Sequence, residues 1–271
     1  MFTKRFGILL ALAASAALAQ SPNETISPLT TANAAVPHIH APMRLHGYRP
    51  DGTTESTNWS GYAVTGTSFT VAKASWIVPA VNCSTTPNTY SAFWVGLDGY
   101  SSSTVEQTGS ESDCDGKTPS YYAWYEFYPN PSEEITSVPV EPGNIMYAEV
   151  SYSGSEFTTT ITNESTGKSY SKTAKVSGAK RSSAEWIAEA PCCTSRGAIL
   201  PLADFGTVDF GEDYTNISDT NDATETSESG AIGSFSTWEE ITMVSTKSVD
   251  EAVPSSLSSD DTSFTVAWKS E

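Results

Sequence analysis

SAFWVGLDGYSSSTVEQTG, residues 91–109, decides the fold. Ala92–Leu97 is a nearly continuous apolar run that stops at Asp98-Gly99, the pattern of a strand covered on both faces and ended by a turn. Tyr100–Thr104 is a polar loop, and a return strand then carries Glu106 and Gln107 into Thr108-Gly109. A strand, a tight turn and a return strand predict that Trp94, Asp98 and Gln107 come close together. Taken alone, the three also read as a core indole, a turn former and a solvated amide.

Outward from this hairpin the chain repeats short β-rich runs between turn signals. Phe69–Val78 reads as a strand ended by Pro79, and Ile145–Tyr152, Phe157–Thr162, Ser169–Val176, Thr237–Val244 and Ser263–Trp268 as others. Tyr121–Tyr128 alternates, with Tyr122, Trp124, Glu126 and Tyr128 on one face. Ser182–Ala190 is ambiguous. Ser182 and Glu185 have capping-box spacing for a short helix, whereas a strand puts Glu185, Ile187 and Glu189 on one face. Gly211–Gly230, rich in Ser, Thr, Asp, Asn and Glu, reads as a long exposed loop. The expectation is an all-β sandwich.

The chain has 271 residues and a net charge of −18. From Asn58 onward 29 acidic residues face 10 basic ones, a net −19, which argues against nucleic acid or an anionic membrane as a partner. Residues 1–19, with Lys4 and Arg5 ahead of an apolar run ending Ala17-Leu18-Ala19, read as a secretory signal, so export is expected. Residues 20–57 read as a leader or prosegment and 58–271 as a single domain, expected to be a monomer. In an exported chain, four cysteines favour disulfides. A Cys83–Cys114 bridge would clamp the central hairpin, and the adjacent Cys192 and Cys193 could bridge each other.

Chemistry is narrowed by what is missing. His38, His40 and His46 all precede Asn58, so the body has no imidazole for a Ser-His or Cys-His hydrolase. No GxSxG, HExxH, CxxC or Asp-Thr-Gly sequence occurs, and no metal or cofactor is expected. Hydrolysis by this body would fall to carboxylates and amides working in acid.

Six segments in fixed order carry a resemblance: NWSGYAV (58–64), FWVGLDG (93–99), EQTG (106–109), YYAWYEFYP (121–129), AEWIAEAP (184–191) and LADFGTVDF (202–210). Together they resemble the glutamic peptidases, the eqolisins, strongly over residues 58–210. The resemblance implies two packed antiparallel sheets, a concanavalin- or lectin-like jelly roll, with Ser182–Ala190 as a strand. It implies a pepstatin-insensitive acid endopeptidase acting on polypeptides, with Gln107 and Glu185 as catalytic dyad. Trp59, Trp94, Asp98 and Glu126 match positions around the cleft and take supporting roles. Tyr122 stands where some relatives carry an acidic residue, which bears on subsite preference.

The rival reading is a carbohydrate-binding, lectin-like module, for which the paired QTG and AEW motifs have no use. A glycosidase would need carboxylates about 5–10 Å apart, and Glu185 and Glu189 on one strand are roughly 13 Å apart. Residues 20–57, with Arg44, Arg49 and three histidines against Glu24, Asp51 and Glu55, are expected to cover the acidic cleft as an inhibitor and to leave it in acid.

Overall fold

The structure, a computed structural model, describes Met1, residues 38–193 and residues 197–271. Val36–Glu271 forms one compact unit. Residues 2–37, which hold nearly all of the expected signal sequence and the first part of the expected leader, fall outside the described residues.

In chain order the strands begin with β1 (Leu45–Tyr48), β2 (Thr54–Ser56), β3 (Trp59–Thr65), β4 (Val71–Ile77), β5 (Ala92–Leu97) and β6 (Val105–Asp115). They continue with β7 (Thr118–Tyr128), β8 (Glu133–Glu134), β9 (Ile145–Ser153), β10 (Glu156–Asn163), β11 (Lys168–Ala174) and β12 (Ser183–Glu189). The last are β13 (Thr207–Phe210), β14 (Asp222–Thr224), β15 (Ser229–Ala231), β16 (Trp238–Val244), β17 (Asp250–Pro254) and β18 (Phe264–Trp268). Ser182–Ala190 is therefore extended, as the family pattern implies.

Two layers emerge from the pairing. One runs β8-β7-β6-β5-β12-β3-β16-β2-β1, the other β11-β10-β9-β4-β13-β18-β17, and β16 with β17 joins them at one side. The β2–β16 pairing is parallel, whereas the pairings within the β5-β6-β7 and β3-β12-β5 groups are antiparallel. Alternation along β5 sends Phe93, Val95 and Leu97 into the inter-layer core. There Trp76 Nε1 of β4 donates to Ser110 Oγ of β6 at 2.9 Å, and Trp186 Nε1 of β12 donates to the Lys73 carbonyl of β4 at 2.6 Å. Every residue of β5 is buried, because its other face is covered too. This is the β-sandwich that the turn-punctuated runs predict.

Cys83 and Cys114 form the expected bridge, with Cα atoms 5.3 Å apart, and Cys192 pairs with Cys193. Two expectations need correcting. Residues 211–230 are not simply an exposed loop. A helical turn, α1 (Glu212–Thr215), and the β14–β15 hairpin lie within them, and Thr215 and Asn221 are buried. Both side chains bond Ser75 of β4, Thr215 Oγ1 to its Oγ at 2.7 Å and Asn221 Oδ1 from its N–H at 3.4 Å. Nor does the folded body begin at Asn58. β1 and β2 extend the sheet, and Asn58 fastens what precedes it by accepting from the Arg44 N–H at 2.7 Å.

Candidate active site

Strand register arranges the cleft face in rows. Residues directly opposite one another share a face, so Ala63, Glu185, Gly96, Gln107 and Glu126 form one row across β3, β12, β5, β6 and β7. The next row is Gly61, Ile187, Trp94, Gly109 and Trp124, and the third Trp59, Glu189, Ala92, Glu111 and Tyr122. Glycine at position 109 is required by space, since a Cβ there would lie 2.3 Å from the Phe93 carbonyl oxygen.

A residue from the segment ahead of β1 sits on this face. His40 is buried, its ring stacked on Trp124 at 3.5 Å between centroids and 8° from parallel. Its Nδ1 lies 3.1 Å from Glu189 Oε2 and its Nε2 3.2 Å from Glu111 Oε1. Its backbone is held as well. The His40 N–H donates to Glu126 Oε2 at 3.0 Å, and Gln107 Nε2 donates to the His40 carbonyl at 2.7 Å and to Glu126 Oε2 at 2.9 Å. Trp94 Nε1 donates to Glu189 Oε2 at 2.8 Å, and Trp59 packs edge-on against Trp94 at 4.9 Å. Gln107 Oε1 and Glu189 Oε1 are buried acceptors with no protein donor.

Burial governs the electrostatics. Burial works against a charged His40, yet hydrogen bonds and charges from Glu111 and Glu189 overcome it and raise the imidazolium pKa to about 10. Burial likewise favours protonation of Glu111, but bonds from His38 and His40 hold its carboxyl down at about 2. Glu126 lacks so strong a partner, and burial pushes it up to about 8. Burial also raises Glu189, against the pull of His40. His38 Nδ1 stands 3.4 Å from Glu111 Oε1 and 3.6 Å from Asp113 Oδ2, and these three side chains could together hold a cation.

Of the residues singled out in the sequence, Trp59, Trp94, Gln107 and Glu126 meet around His40. Glu185 and Asp98 do not. Although Glu185 shares a row with Gln107, the Trp94 ring overlies the intervening Gly96, where an added Cβ would be 3.0 Å from Trp94 Cζ3 and 3.2 Å from Gln107 Cβ. The Glu185 carboxyl lies instead near Ser183, Asp98 and Glu106, and burial raises its pKa well above the ordinary range. Asp98, rather than joining Gln107, accepts from the backbone N–H groups of Lys180, Arg181 and Ser182. His40, Glu111 and Glu189 were missed as site residues. The period-two spacing Gln107, Gly109, Glu111 could have found Glu111, whereas the histidines of residues 20–57 were expected over the cleft as a group and nothing in the sequence singles out His40.

Sandwich and cleft define a β protein whose reactive face is built from an amide, carboxylates and indoles. This chain belongs to the Peptidase A4 family, whose profile matches residues 57–268. It is 28% identical over 186 residues to aspergillopepsin-2 of Aspergillus niger and 30% identical over 178 residues to scytalidopepsin B of Scytalidium lignicola. Those alignments take in 59% and 64% of this chain, and the chain spans 65% and 66% of the length of these relatives. The crystal structure of scytalido-glutamic peptidase with a transition state analog inhibitor superposes with a TM-score of 0.66 at 25% identity. That match covers 79% of this chain and 98% of the other.

Proposed function

We propose that the chain is a secreted acid endopeptidase, made as a zymogen, in which Gln107 and Glu189 activate water against a peptide carbonyl. The observation that carries this is the 2.7 Å bond from Gln107 Nε2 to the carbonyl of a peptide lying in the cleft. An amide donor on that oxygen stabilises the oxyanion as attack proceeds. Glu189 reaches the same residue from the other side, and its free Oε1 with Gln107 Oε1 supplies two acceptors for a nucleophilic water. Glu189 takes the proton from water and later delivers it to the leaving amine. The base role expected of Glu185 passes to Glu189, because Trp94 separates Glu185 from Gln107.

Residues 38–44 of the leader act as inhibitor by filling the cleft. Burial beneath them raises Glu189, and once the segment leaves, water returns the carboxyl towards its ordinary value near 4.3, suited to a base in acid. A carbohydrate-binding reading is less supported, since the family match and the two relatives are peptidases.

Denatured casein assayed from about pH 2 to about pH 7 with and without pepstatin tests the reading. Cleavage confined to acid and insensitive to pepstatin is expected, with Glu189→Gln and Gln107→Ala each slower by about 100-fold or more and Glu185→Gln much milder. An inactive Glu185→Gln beside an active Glu189→Gln would return the base role to Glu185, and no proteolysis at any pH would end the peptidase reading.

A further inference from the structure

We propose that the His40–Ala41 peptide bond is a self-processing site, cut by the cleft of the same molecule. The inference rests on the peptidase reading above and adds a particular bond to it.

The leader crosses the cleft as a substrate would, pinned on both sides of that bond. Upstream, Ile39 and Cys192 exchange backbone hydrogen bonds of 2.6 and 2.8 Å, adding the leader as a short strand beside the end of β12. Downstream, Asn58 Nδ2 donates to the carbonyls of Ala41 and Pro42, both at 3.3 Å, and the Met43 N–H donates to the Gly99 carbonyl at 3.0 Å. Between these anchors the His40 carbonyl rests on Gln107 Nε2. A plug acting through its imidazole alone could leave its carbonyl anywhere. This one is placed on the donor assigned to the oxyanion.

The chemistry balances with one water. In the fraction of chains where Glu189 is ionised beside the His40 imidazolium, the water gives a proton to Glu189 and its oxygen bonds the His40 carbonyl carbon, while the carbonyl electron pair moves onto the oxygen held by Gln107. The tetrahedral intermediate then collapses, the C–N bond to Ala41 breaks, and the leaving nitrogen takes the proton back from Glu189. A carboxyl on His40 and an amine on Ala41 result.

The two products are held unequally. Beyond Ala41 the chain is woven into the sheet through β1 and β2, the latter paired with β16. Upstream, the fragment ending at His40 loses its covalent tie to the sheet and is held by noncovalent contacts, the Ile39–Cys192 backbone bonds and those of His40 among them. The groups facing His40 are Glu111 of β6, Glu126 of β7 and Glu189 of β12, with His38 and Asp113 beside Glu111. Of these Glu111 keeps its charge down to about pH 2, so mild acid does not dissolve its pairing with His40. The expulsion by acid alone that overall charge suggests is opposed at this contact.

The full chain, purified at neutral pH and acidified, is followed by intact mass and N-terminal sequencing, with casein digestion measured in parallel. Expected are a new N-terminus at Ala41, a released peptide ending in His40, and a first-order rate unchanged over about 100-fold dilution. Folded Gln107→Ala and Glu189→Gln chains should process that bond slower by about 100-fold or more. Casein digestion with the His40–Ala41 bond intact, or with the N-terminus elsewhere, overturns the proposal and leaves the peptidase standing. A rate proportional to protein concentration overturns cutting within one molecule. Failure to digest casein at any pH removes the peptidase reading and this inference together.

Discussion

The Asp98 carboxylate accepts hydrogen bonds from the N–H groups of Lys180, Arg181 and Ser182, at 2.7, 2.6 and 2.9 Å, and from Ser182 Oγ at 3.0 Å. It sits at the end of β5 with φ 70°, a left-handed turn position that Asp tolerates better than most residues. One fully buried side chain thus holds the loop that leads into β12, the strand carrying Glu189. Asp98→Ala leaves those donors unsatisfied and should cost about 3 kcal/mol or more, whereas Asp98→Asn keeps one acceptor and should cost less. Urea unfolding at constant m-value measures both. An unchanged midpoint for Asp98→Ala would return the residue to the list of candidates for chemistry. A like charge is present besides, since Glu106 lies near Asp98 and burial, followed by that charge, pushes its pKa up to about 9.

Single elements show which features a sequence can carry. Hydrophobic period and turn residues place β5, and alternation in Tyr121–Tyr128 correctly puts Tyr122, Trp124 and Glu126 on one face of β7. Alternation assigns a face but not a position within it. Choosing between Glu185 and Glu189 depends on how β12 registers against β5 and on where the Trp94 ring lies, and neither leaves a mark on spacing. The leader is harder still, because backbone bonds and an imidazole among carboxylates hold it in place, and none of these needs an apolar period. Residues 211–230 mislead for a related reason, polar side chains such as Thr215 and Asn221 being buried by bonding Ser75. The disulfide was legible from its flanking strands. With a sequence separation of 31, Cys83–Cys114 should contribute about 3–4 kcal/mol by restricting the unfolded chain. Replacing both cysteines by Ala should lower the denaturant midpoint accordingly yet preserve peptidase activity well below it, because Cys114 keeps its N–H bond to the Thr89 carbonyl. A variant as stable as the parent would contradict this.

Across the whole molecule, buried carboxyls outweigh their cationic partners. Burial raises the pKa of Glu106 to about 9 and of Glu126 to about 8, and raises Glu185, Glu189 and Asp113 as well. A carboxyl whose folded pKa lies above its unfolded value stabilises fully below the unfolded value, near 4.3, and loses that contribution as pH rises through the folded one. Glu111, lowered to about 2, acts oppositely, stabilising above the unfolded value and fading as pH falls towards 2. The melting temperature of the Gln107→Ala chain, in which the proposed processing would be slowed, should therefore be higher at about pH 4 than at about pH 8. Each kcal/mol is worth about 2–4 °C at this size. A steady climb from pH 4 to pH 8 would contradict this balance. The parallel pairing of β2 with β16 has a kinetic consequence of its own. Residues near opposite ends of the body must meet, and a loop of that length pays its closure entropy before the contact returns anything. Assembly is therefore slow, and β2 takes its place beside β16 only after nearly the whole chain has been synthesised.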